Sequence, residues 1–198
     1  MDHGLAGRWA ALEVPIDGRD LLRRWSEPHR CYHDQRHLRE VLDALDRLSP
    51  DVPLDVRLAA WFHDAVHDPQ AADNEQRSAD LAASALALVD GADAAEVARL
   101  VLLTATHDPS PGDRSGELLC DADLAILAAA PARYAVYAAD VRTEYTHVSA
   151  ADFARGRAQV LRRLVAPEQI YRTTVGGSWE RRARANVAAE LARLSADS

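Results

Sequence analysis

Apolar residues recur along this chain at three- and four-residue spacing almost from end to end, and that spacing predicts helices. Residues 17–27 carry Leu21, Leu22 and Trp25 and stop before Pro28. Residues 34–48 set His37, Val41, Leu45 and Leu48 on one stripe, with Arg and Asp opposite. Pro53 stands in the first turn of a helix that runs through Leu58, Trp61 and Phe62 to His63 and Asp64. Asp73 caps a helix that passes Leu88 and is ended by Gly91, and Asp93 starts another that reaches His107. Residues 108–117 (DPSPGDRSGE) read as a loop. Helices are expected again at about 120–129, 131–146, 149–165 and 178–195, with starts at Pro131 and Ser149 and breaks at Pro167 and Gly176-Gly177. No segment alternates with period two for long. The expected fold is therefore all-α, one helical bundle over residues 1–198.

Composition narrows the chemistry. The chain has 198 residues, enough to bury one core, and 48% of them are hydrophobic. A net charge of −8 argues against a nucleic-acid backbone as partner, because phosphate tracks need a basic face. All 23 basic residues are arginine. Without lysine there is no Walker-type phosphate loop, no Schiff base and no lysine general base. Nucleophile-elbow and dinucleotide-binding glycine motifs are missing too. Two cysteines, Cys31 and Cys120, are too few for a disulfide framework, which makes a reducing cytoplasm the expected setting. No apolar run approaches the roughly 18 residues of a membrane span, so a membrane partner is not expected.

Metal-ligand residue types then stand out. His63-Asp64 closes an apolar run, His33 and His37 lie four apart upstream, and Asp121-Ala122-Asp123 lies downstream. Neutral imidazole with carboxylate suits hard to borderline divalent ions. His33 and His37 share a helical face if one helix includes both. Asp121 and Asp123 are two apart, so at most one of them points at a shared ion. Arg30, Arg142 and Arg157 sit among apolar or aromatic neighbours; each is a candidate for bidentate phosphate binding, or else an ion-pair partner for an acid such as Glu144. Trp9, Trp25, Trp61 and Trp179 read as core anchors. His67-Asp68 reads as a polar helix end.

The ordered set Tyr32-His33-Asp34-Gln35-Arg36-His37, His63-Asp64 and Cys120-Asp121-Ala122-Asp123-Leu124 resembles the HD superfamily of metal-dependent phosphohydrolases. Trp61-Phe62-His63-Asp64, Asn74-Glu75 with Ser78-Ala79, Thr106-His107 and Asp121 to Leu124 are similar to a small bacterial group of predicted HD phosphohydrolases, and Glu180 to Glu190 with Arg184 and Asn186 fits as well. The resemblance spans most of the chain. It implies an HD-type bundle in which His37, His63, Asp64 and Asp123 hold a divalent ion (Mn, Fe, Co, Ni, Zn or Mg). Asp64 then belongs to both the ion and the chemistry, and His33 is a candidate general acid. Glu75 and His107 are candidates for a second ion, and Asp121 for holding a water or a ligand from behind. The implied activity is hydrolysis of a phosphomonoester or phosphodiester, of a nucleotide or another small metabolite, by a metal-activated water. Two alternatives from other classes are a non-catalytic nucleotide-sensing domain and a diiron oxygenase, the latter needing His107 or Glu75 on the metal. A homodimer is compatible with the sequence.

Overall fold

Caps decide where many of the helices begin. The computed structural model describes residues 4–196, which are helical and loop, with no strand among them. The helices are α1 (Leu5–Ala10), α2 (Arg19–Arg24), α3 (Gln35–Leu48), α4 (Leu54–Phe62), α5 (Asn74–Leu86), α6 (Ala94–Leu103), α7 (Arg114–Asp123), α8 (Pro131–Glu144), α9 (Ala150–Val165), α10 (Thr174–Gly177) and α11 (Glu180–Ala196), with a 3-10 segment at Leu124–Ala128. Asp34 starts α3 by accepting from the Arg36 and His37 N–H groups, and Asp93 starts α6 by accepting from Ala95 and Glu96. Asp113 does the same for α7 through Gly116 N, and Ser149 for α9 through Asp152 N. Asp73 precedes α5 without a side-chain cap bond. The turn before it is closed instead by Asn74, which exchanges hydrogen bonds with the Asp68 backbone at 3.0 and 2.9 Å.

Several boundaries differ from the sequence reading, each for a local reason. Because Asp34 is the cap, His33 lies outside α3 and shares no helical face with His37. The fourth helix stops at Phe62, leaving His63 on its C-cap. The sixth stops at Leu103, where the Thr104 hydroxyl bonds back to Val101 O. His107 therefore sits in a loop, with a φ of 53°. The seventh begins at Arg114, inside the expected loop, so Asp121 and Asp123 end a helix rather than open one. The short helices α1 and α10 were not expected from periodicity at all.

Two apolar clusters are buried side by side. One is built on Trp25, Leu38, Leu45, Leu58, Trp61 and Phe62 from the first half of the chain. The other is built on Tyr32, Leu127, Tyr134, Tyr137, Leu161 and Tyr171. Trp179 packs against both. The Trp25 indole donates to Trp61 O at 3.0 Å, fastening α2 over the end of α4. His37, on α3, touches both clusters, with its ring 6.2 Å from Trp25 and 4.6 Å from Tyr32. Among the described residues no single helix is long and apolar enough to cross a membrane.

Candidate metal centre

Three of the predicted ligands, His37, His63 and Asp123, meet at one point, and a fourth, Asp64, lies against both histidines. His37 Nε2 lies 3.2 Å from His63 Nε2. Asp123 Oδ1 is 3.1 Å from the first and 3.5 Å from the second. Asp64 Oδ2 lies 3.2 Å from His63 Nε2 and 3.7 Å from His37 Nε2. Atoms of His37, His63 and Asp123 all fall within 4.8 Å of one another, a spacing that can hold a metal ion.

Both imidazoles are buried. His63 Nδ1 donates to Ala60 O at 2.9 Å, so a neutral His63 offers a lone pair at Nε2, straight into the cluster. His37 Nδ1 is buried without a partner, and its ring is oriented by the contacts at Nε2. Burial works to lower the His63 pKa, yet the Asp64 and Asp123 carboxylates outweigh it and hold the imidazole well above its ordinary value. Burial pushes both carboxyls up, and the facing histidines, His63 above all, hold them far below the usual carboxylate range. The two carboxylates therefore face a positive charge, either on a protonated His63 or on an ion that a neutral His63 helps to hold. Two nitrogens and two carboxylates suit a borderline divalent ion.

The remaining sequence candidates divide. His107 Nε2 meets the other oxygen of Asp123, Oδ2, at 2.8 Å. A left-handed backbone at His107, uncommon for a non-glycine residue, aims the ring at that carboxylate. Glu75 lines the same cavity but is not among the atoms grouped around His37. Asp121 points away. Its oxygens accept from Arg172 N, Thr173 N and the Thr173 hydroxyl at 2.7–2.8 Å, and burial pushes its carboxyl up against those bonds. A Cβ at Gly176 would run into Asp121 Oδ2 and the Thr173 hydroxyl. Gly176→Ala is therefore expected to destabilise the fold by about 1–3 kcal/mol in denaturant unfolding while leaving metal content unchanged.

The arginine assignments change most. Arg30 is buried and its guanidinium is committed to Glu27 and to three backbone carbonyls: His33 O at 2.9 Å, Asp64 O at 2.8 Å and Ala65 O at 3.2 Å. It clamps the backbone of two site residues and does not line the cavity. Arg142 donates to Tyr145 O and Val148 O and lies over the Phe153 ring, so it is not the partner of Glu144, and it does not line the cavity. Arg157 does line the cavity, held by Glu190 and stacked over Tyr137. Arg163, not singled out in the sequence, lines the cavity too, with a 3.5 Å contact to Ala105 O.

A second group lies beside the first and was largely missed by sequence reasoning. Glu144 ends α8, with Oε1 accepting from the Cys31, Tyr32 and His33 N–H groups at 2.7–3.0 Å. Its Oε2 accepts from His33 Nδ1 at 2.6 Å and lies 3.4 Å from His67 Nε2. His67 is buried and stacks on His33 at 4.1 Å, so it is not a polar helix end. His33, His67 and Glu144 also have ligand-type spacing. With both Glu144 oxygens already accepting hydrogen bonds, the group is better suited to holding His33 than to holding an ion. The bond at Nδ1 leaves His33 Nε2 as the atom available to the cavity that His33 lines. Burial lowers the His33 pKa despite Glu144, which favours a neutral ring able to take up a proton.

The cavity holds about 600 Å³, within the range of small-molecule sites, and the His37, Asp64 and Asp123 side chains form part of its wall. No protein-family model, curated protein or solved structure matches this chain.

Proposed function

We propose that the protein is a metal-dependent phosphohydrolase of the HD type, cleaving a phosphate ester of a small metabolite. The observation that carries this reading is the cluster of His37, His63, Asp64 and Asp123, of which His37, Asp64 and Asp123 line a ligand-sized cavity, with His33 beside them. A divalent ion at such a site acidifies water and shields phosphoryl charge. The chain's own residues do the rest. His37, His63, Asp64 and Asp123 would hold the ion, and His107 braces Asp123 from its second oxygen. His33, fixed through Nδ1 by Glu144, would take up at Nε2 the proton that the attacking water gives up. As the water oxygen adds to phosphorus and the ester P–O bond breaks, that proton goes to the leaving oxygen. Among the described residues Arg163 is the cavity arginine without a carboxylate partner, and it is placed to meet substrate charge.

The test is reconstitution. Protein stripped with chelator and reloaded with each divalent ion in turn should release phosphate from a panel of nucleotides and other organic phosphates only when loaded. His33→Ala should keep the ion and lose most rate on esters with poor leaving groups. Stoichiometric metal with no phosphate released from any ester would overturn the proposal.

A further inference from the structure

The cavity changes character away from its metal end. Past Asp123 its wall is Ile126 and Leu127 of the 3-10 segment, Val141 of α8, Val148, and Phe153 and Val160 of α9. Polar neighbours there are already engaged within the protein. The Thr104 hydroxyl donates to Val101 O at 2.7 Å. Arg157 is paired with Glu190 at 2.8 Å. Asp152 is bonded to Ser149 and Arg155. What remains for a ligand is Glu75, the Tyr32 and Tyr145 hydroxyls, and Gln159 and Arg163 on the exposed side of α9.

Val160, which lines the cavity from α9, is 40% exposed, so this apolar side chain is open to whatever occupies the cavity. Such a surface costs free energy until something apolar lies on it. The lobe is continuous with the metal end, so the occupant that fits is the organic part of the substrate. A sugar there would set hydroxyls against the Ile126, Leu127, Val141, Phe153 and Val160 side chains, which offer no hydrogen bond in return. A hydrocarbon gains with each carbon buried. We infer that the substrate is a phosphate ester of an apolar alcohol, alkyl or aryl, with its hydrocarbon in this lobe and its phosphoryl group at His37, His63, Asp64 and Asp123. This rests on the phosphohydrolase reading and narrows the nucleotide expectation drawn from the sequence.

Alkylphosphonates test it, because their P–C bond resists hydrolysis. Calorimetric titration of metal-loaded protein with methyl- to hexylphosphonate should show affinity rising about fourfold per methylene. Nucleoside monophosphates and sugar phosphates should bind no tighter than methylphosphonate. Val160→Asp should flatten the chain-length series. A flat series in the unaltered protein, or a nucleotide that outcompetes hexylphosphonate, overturns the apolar lobe and leaves the hydrolase reading standing. Failure of every phosphonate to bind the metal-loaded protein overturns the phosphate-ester reading, and the lobe proposal with it.

Discussion

His63→Ala is expected to retain no divalent ion after dialysis and to lose turnover on the order of a thousandfold, the scale of several kcal/mol of charge stabilisation from a bound ion. His63 Nε2 faces the other three residues of the cluster, His37 at 3.2 Å, Asp64 at 3.2 Å and Asp123 at 3.5 Å. Truncation removes one nitrogen ligand and leaves the two carboxylates without the imidazole between them. The fold should survive. The lost bond to Ala60 O and the lost packing on Trp25, 5.4 Å away, cost about 1–3 kcal/mol, less than the stability of an ordinary domain. Two measurements check this together. Unaltered protein should gain about 2.7 kcal/mol of unfolding free energy at metal concentrations a hundredfold above Kd, and the variant should gain none. Circular dichroism should show the helical signal unchanged. Stoichiometric metal in His63→Ala would place the ion elsewhere.

The all-α architecture and the four residues that cluster around His63 were legible because their signals are local. Asp34 as cap and the stripe from His37 to Leu48 mark α3 without knowledge of anything else in the chain. His63-Asp64 and Asp123 fall at helix ends, where a side chain can leave its own helix and meet others. The boundary errors come from competition within a turn. Asp34 displaced His33 from the helix, and Thr104 ended α6 before His107. Helices as short as α1 and α10 contain too few turns for any period to register. Arginine roles were illegible for another reason. A guanidinium aimed at carbonyls, as in Arg30, has the same sequence neighbourhood as one aimed at phosphate, and its targets, the Asp64 and Ala65 carbonyls, lie far along the chain. Glu144 poses the same problem in stronger form. It reaches across more than a hundred residues to the Cys31–His33 backbone, and nothing near it in the sequence announces that.

Glu144→Ala should be among the most damaging single changes outside the metal ligands. The carboxylate is buried and satisfies three consecutive N–H groups together with His33 Nδ1. Deleting it leaves those donors unpaired, at a cost of about 3–5 kcal/mol. Glu144→Gln separates structure from chemistry. Its amide oxygen can still accept from the three N–H groups, so the stability loss should be smaller, about 1–2 kcal/mol. The negative charge that orients His33 is gone, so turnover should fall roughly 10–100-fold with the metal still bound. Acid unfolding supplies an independent reading. Burial raises the Glu144 pKa, but the hydrogen bond from the His33 ring, the His67 ring beside it and the His33 backbone N–H carry it well below its ordinary 4.5. A carboxyl depressed in the folded state contributes stability that is present above the unfolded value and lost as pH falls through the folded one. The unaltered protein should therefore lose stability progressively below about pH 4.5, and Glu144→Gln should lack this group's share of that decline. Parallel acid-unfolding curves for the two proteins would mean that Glu144 carries no charge-dependent role. A flatter curve for the glutamine variant, with the ion retained and slowed turnover, would tie His33 to the carboxylate that holds it.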